Sequence, residues 1–273
     1  MSTQPEPTPA RHAPPQPGAV HATFRFYEEL NDFIAPDRRG HEFSVPCARA
    51  ATTKHMIEAL GVPHTEVELI LLNGESVGFE RLLADGDRVA VYPTFETFDV
   101  TPLLRLRSQP LRVSRFVADA HLGGLALLLR MMGLDTLYDN AFADDEIERL
   151  ARADHRIVLT RDRELLKRSG ITHGMYVRAL RSTEQLREVF ERLDLARGAH
   201  PFTRCLHCNA RLVAIDKVQA LPALPPRVAQ QFERFSACEG CARVFWEGSH
   251  WRRMQGLIDE VLAGTGRASE SPR

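Results

Sequence analysis

Four of the five cysteines stand as two CxxC pairs, Cys205/Cys208 and Cys238/Cys241, with 29 residues between them. No apolar run approaches the ~20 residues of a membrane span, and the N-terminus lacks the apolar core of an export signal. The thiols are therefore expected to stay reduced in a cytoplasmic chain, and the paired spacing reads as metal ligation before disulfide. Four thiolates on two turns suit a structural, tetrahedral Zn²⁺ with no open position. A redox pair or an iron–sulfur centre is the alternative. His207 and His250 lie beside the pairs and read as non-ligands, while the isolated Cys47 reads as a small buried hydrophobe. Trp246, His250 and Trp251 interleave with Arg252 and Arg253. Such a run either guides single-stranded nucleic acid or packs a small metal domain that lacks its own core.

A chain of 273 residues exceeds one ordinary domain and predicts two or three units. Its 44% hydrophobic and 26% charged composition is that of a soluble globular protein, which excludes collagen and wholesale disorder. The net charge of −1 excludes a uniformly basic coat for nucleic acid, although 35 basic residues, nearly all Arg, supply planar phosphate-binding forks. Residues 1–21 hold six prolines and little apolar surface, and are expected to be disordered. Residues 22–98 read as β-β-α-β-β, with an Asn73-Gly74 hairpin turn and a helix stopping at Gly61, the pattern of a ubiquitin-like β-grasp (α+β) domain. Seven basic against thirteen acidic side chains give this unit about −6, a poor surface for phosphates and a better one for a protein partner or for packing on its neighbour. No Gly-Gly end follows it, which argues against a sulfur carrier. A linker is expected over 99–110, a zinc-ribbon domain over 199–262 and a disordered tail over 263–273.

Residues 111–198 alternate strand and helix, which implies a parallel α/β sheet covered on both faces. Ligands of such sheets bind beyond the carboxyl ends of the strands. Asp119 directly follows the strand RFVA, Asp162 follows RIVLT, and Asp144 and Asp145 open the helix after the second strand. Carboxylates from three connections suit Mg²⁺ or Mn²⁺. The bland reading of Asp144, Asp145 and Asp162 is helix capping. Asp135, Asp139 and Asp154 read as solvated turn residues, and Ser182 through Gln185 as a capping box. Spacing alone leaves a phosphatase or a receiver-like domain open.

The run DAHLGGLALLLRMMGLDT…DDEIERLARADHRIVLTRDREL resembles the Mut-seven C-terminal RNase domain, a branch of the PIN-like nucleases. HTEVELILLNGESVGFERLLADGDRVAVYP is similar to the ubiquitin-like domain fused before it, and PFTRCLHCN…CEGCARVFWEGSHWRRM resembles the family's zinc-ribbon end. The resemblance implies a PIN-like fold, metal-dependent RNA cleavage leaving 5′-phosphate and 3′-hydroxyl ends, and an acidic site of Asp119, Asp144, Asp145 and Asp162. The chain departs from the pattern at Gly124, where a polar or cationic residue is expected. Arg130, Arg161 and Arg163 are candidates to supply that charge to the substrate. The alternative function is a catalytically weak RNA-binding or adaptor protein on the same fold.

Overall fold

The computed structural model describes residues 20–93 and 115–265, so the expected linker and most of both terminal segments lie outside the described residues. The first unit is a five-stranded mixed sheet of β1 (Val20–Phe26), β2 (Phe43–Cys47), β3 (Leu69–Leu72), β4 (Glu75–Val77) and β5 (Arg88–Tyr92), crossed by α1 (Thr53–Ala59). The order is β2-β1-β5-β3-β4, with β1 and β5 parallel and the other neighbours antiparallel. Period-2 burial of Ala22, Phe24 and Phe26 turns one face of β1 toward Met56 and Ile57 of α1, the β-grasp arrangement. Asn73 and Gly74 both have positive φ, as a tight hairpin turn between β3 and β4 requires. β1 starts at Val20, two residues before Ala22, because Val20 and His21 find strand partners in Cys47 and Pro46.

The second unit is wholly parallel. β6 (Arg115–Ala118), β7 (Asp135–Leu137), β8 (Ile157–Thr160) and β9 (Gly174–Tyr176) take the order β7-β6-β8-β9. Helices α2 (Gly123–Met131), α3 (Asp144–Asp154), α4 (Arg163–Leu166) and α5 (Ser182–Arg192) cover both faces. Phe116, Ala118 and Leu159 pack under Leu125, Leu129, Leu186 and Phe190 of α2 and α5. Val117 and Val158 turn the other way, onto Ile147, Leu165 and Leu166 of α3 and α4.

The C-terminal unit is an antiparallel three-stranded ribbon of β10 (Leu212–Ile215), β11 (Phe235–Cys238) and β12 (Val244–Trp246). Two short helices, α6 (Lys217–Ala220) and α7 (Pro226–Gln231), fill the gap between β10 and β11. The last helix, α8 (Ser249–Thr265), runs past residue 262 and returns Ile258 and Val261 to the core beneath α2 and α5.

Both edge strands of the parallel sheet are met by a neighbour. On β9, the Tyr176 amide donates to Glu66 Oε1 at 2.6 Å. On β7, the Thr136 amide donates to Asn209 Oδ1 at 3.0 Å. Glu66 is 3% exposed, and its Oε2 accepts from Arg192 at 2.8 Å with Arg178 at 3.5 Å. His64 Nε2 donates to the Ile171 carbonyl at 2.9 Å, and Phe33 meets Tyr176 edge-on at 5.4 Å between centroids. The β-grasp unit is thus packed against the α/β unit through a charged, largely buried seam.

Candidate active site and metal centre

The parallel register brings the ends of β6 and β8 side by side, and Asp119 and Asp162 follow those two strands. Thr160, fully buried, links them: its hydroxyl donates to Asp119 Oδ2 at 2.7 Å and accepts the Asp162 amide at 2.9 Å. Asp119 is 9% exposed and has no basic partner among the described residues. Asp162 also caps α4, its Oδ1 accepting the Glu164 amide at 2.8 Å. Capping and rim placement are therefore compatible in one residue. A nearly buried carboxylate with no cation beside it is unfavourable alone, and hard oxygen donors of this kind fit a divalent metal.

The other two acids behave differently. Asp144 and Asp145 open α3, exposed, where the helix N-terminus favours negative charge. Arg168 reaches across from beyond α4, hydrogen-bonded to Asp145 and to Glu148, with Asp144 Oδ2 3.9 Å from its Nη1. Asp145 is answered by protein, not left for a ligand. The four acids do not form a closed cluster: among the described residues only the cysteines gather three or more such ligand atoms within 4.8 Å.

Each arginine proposed from sequence has protein partners of its own. Arg130 is a correction: it is 4% exposed, and donates to the Thr136 carbonyl through Nε and to the Leu206 and His207 carbonyls through Nη1. Burial drives its pKa down, against the pull of Cys205 and Cys208. It lies at the far end of α2, two turns or about 10 Å of rise from the rim. Arg161 is held by the Ala179 carbonyl at 2.7 Å, and Arg163 lies over the rings of Phe33 and Tyr176 in the seam with the β-grasp unit. The departure at Gly124 has a steric reason. A Cβ there would collide with Ser182 Oγ, so the small residue lets α5 approach α2. The same contact corrects the capping box: Ser182 is the first residue of α5, Arg181 is its N-cap with no side-chain bond, and Gln185 donates to the Ala179 carbonyl instead.

The cysteine quartet is brought together. Cys205 Sγ lies 3.7 Å from Cys241 Sγ and Cys208 Sγ 3.3 Å from Cys238 Sγ. Four sulfurs at about 2.3 Å from one Zn²⁺ would have edges of about 3.8 Å, so the set fits a tetrahedral metal. Burial opposes ionisation of Cys238, yet the Cys241 and Gly240 amides and the neighbouring thiols bring it down to about 7. Burial pushes Cys205 up to about 12. His207 and His250 are outside the cluster. Trp251 stacks on Phe202 at 5.1 Å, which is packing, and Trp246 is half-buried in β12, while His250 is exposed. Asp135, expected in water, instead joins ribbon to sheet: although burial works against it, Arg156 and Asn209 hold its carboxyl below the usual range.

Residues 114–258 match the Mut7-C RNAse domain family, more than half of the chain, and residues 19–99 match the Mut7-C ubiquitin family. Two crystal structures of small archaeal modifier protein 1 from Haloferax volcanii are similar to the N-terminal unit, at 21% and 20% identity. Each alignment covers 28% of this chain, and 99% and 96% of theirs, with a TM-score of 0.23. No curated relative matches.

Proposed function

The chain belongs to the Mut7-C RNAse domain family, and from that premise we propose that it is a metal-dependent ribonuclease hydrolysing RNA phosphodiester bonds. The observation that carries this reading is the Asp119–Thr160–Asp162 link, two carboxylates on adjacent strand ends without a basic partner among the described residues. In this reading Asp119 and Asp162 hold Mg²⁺ or Mn²⁺, Asp144 adds negative charge from the third connection, and Asp145 stays with Arg168. When bound, the cation supplies Lewis-acid charge and a water of lowered pKa. Thr160 fixes the Asp119 carboxylate by occupying Oδ2, and the buried strand ends keep bulk water from it. The cysteine quartet holds a structural Zn²⁺, and exposed His250, Arg252 and Arg253 guide the RNA strand. The β-grasp unit docks on the nuclease sheet and offers its remaining surface to a protein partner. The working division of the chain is 22–98, 111–198 and 199–262, in the cytoplasm. Among the described residues no helix is long and apolar enough to cross a membrane.

A second reading, a weakly catalytic RNA-binding or adaptor protein, is favoured by the ungathered acids and by the absence of a cation at Gly124. Cleavage of a defined single-stranded RNA with Mn²⁺, with chelator, and by Asp119→Asn separates the two. The expected outcome is 5′-phosphate products that vanish with chelator and fall at least about a hundredfold, or ~2.7 kcal/mol, in the variant. Equal cleavage by parent and Asp119→Asn would overturn the acidic-site assignment, and no metal-dependent cleavage by the parent would leave the second reading.

A further inference from the structure

A buried guanidinium must find acceptors for its five N–H groups, because leaving them unmet is costly. Arg130, on the last turn of α2, finds three carbonyls: Thr136 on edge strand β7 at 2.9 Å, and Leu206 and His207 at 3.0 Å each. The latter two are the residues between Cys205 and Cys208. The same turn is tied to the same edge strand by Asn209, whose Oδ1 accepts the Thr136 amide and whose Nδ2 donates to Asp135 at 2.8 Å. Arg204, just before the pair, lies 3.4 Å from Asp135. Three side chains thus clamp one cysteine turn onto the sheet, and the clamp's only buried positive charge stands beside a cluster that four thiolates and one Zn²⁺ would leave at −2.

We propose that Arg130 is a positioning residue of the cysteine centre: it holds the Cys205–Cys208 turn in its ligating shape against β7, so that metal retention and the order of the β7 edge are one coupled equilibrium. This rests on the quartet holding a metal. Loss of the metal frees the turn and strips Arg130 of two acceptors; loss of Arg130 frees the turn and weakens the metal by the same coupling.

The test uses the full chain loaded with Zn²⁺, with zinc content measured first and transfer to a chromogenic chelator measured second. Arg130→Met is expected to bind zinc about ten- to a hundredfold more weakly, the range for partners that orient metal ligands. Arg130→Lys, which keeps a charge but offers a single point donor, is expected in between. Leu129→Ala, a core truncation on the same helix, should lower Tm while leaving zinc affinity at the parent value. In the parent, chelation should cut hydrogen-exchange protection of the Thr136 amide at least tenfold and spare the Ala118 and Leu159 amides in the sheet centre. If Arg130→Met does not fold, this exchange measurement decides alone. Parent protein without zinc would overturn the metal reading and this proposal together. Zinc-loaded parent with unchanged affinity in Arg130→Met, or unchanged Thr136 protection on chelation, would overturn this proposal only.

Discussion

Glu66→Ala tests whether the β-grasp unit is built into the molecule or merely strung before it. Glu66 accepts the β9 amide of Tyr176 and the guanidinium of Arg192, with Arg178 close by. Breaking a buried pair from one side costs about 3–5 kcal/mol. The low end applies, because the arginines keep other carboxylates: Arg178 has Asp32 at 3.1 Å, and Arg192 has Glu29 at 3.7 Å. A loss of about 3 kcal/mol, at roughly 2–4 °C per kcal/mol for a protein of this size, lowers Tm by roughly 6–12 °C. Glu66→Gln keeps an oxygen for the Tyr176 amide and loses only the charge, so about half the shift is expected. Thermal unfolding of the full chain, followed by circular dichroism at low salt, reads both variants. A shift below about 2 °C for Glu66→Ala would refute the seam as a structural joint.

Asp145→Asn, whose carboxylate faces Arg168 at the surface, is expected to retain RNA cleavage within about threefold of parent, and its stability within the ~1 kcal/mol of an exposed pair. A hundredfold loss in the RNA assay would return Asp145 to the metal site. Cys241→Ser should emerge from purification with far less zinc and with the ribbon amides of β11 and β12 exchanging freely, since such units draw their folding energy from metal; full zinc content in elemental analysis would count against it. Zinc retention should weaken as pH falls. Cys238 ionises near 7 and Cys205 near 12, so loading the site releases protons and acid reverses it. A chelator-competition curve flat between about pH 5 and 8 would contradict that sign.

The elements most legible in the sequence were those whose burial is periodic and local. RFVA and Arg88–Tyr92 are strands at their expected bounds, and the Asn73-Gly74 turn sits where the dipeptide indicates. Cysteine spacing carried the quartet, because the chemistry of two CxxC turns is contained in eight residues. Residues whose partners lie far along the chain were misread. Arg130 shares a helix with the rim but meets carbonyls 76 and 77 residues away. Asp135 looks like a turn residue until Asn209 and Arg156 arrive. Arg163 follows the rim strand yet stacks on Phe33, 130 positions earlier. One local signal was available for Arg130: its place two turns below the helix start puts it away from the strand ends. Ser182 was misread for a tertiary reason, since its hydroxyl lies against Gly124 rather than turning back as a cap.

The two edge contacts of the parallel sheet differ in when they can form. Glu66 precedes Tyr176 by 110 residues, so on a growing chain the cap of β9 exists before the strand it covers. Asn209 follows Thr136 by 73 residues. At about 5–20 residues per second of synthesis, β7 waits roughly 4–15 s for its cap. Once β9 has been made, the nascent sheet has one guarded side and one open side. A ribosome stalled between residues 177 and 208 would therefore present β7, rather than β9, to chaperones or to strand-pairing neighbours.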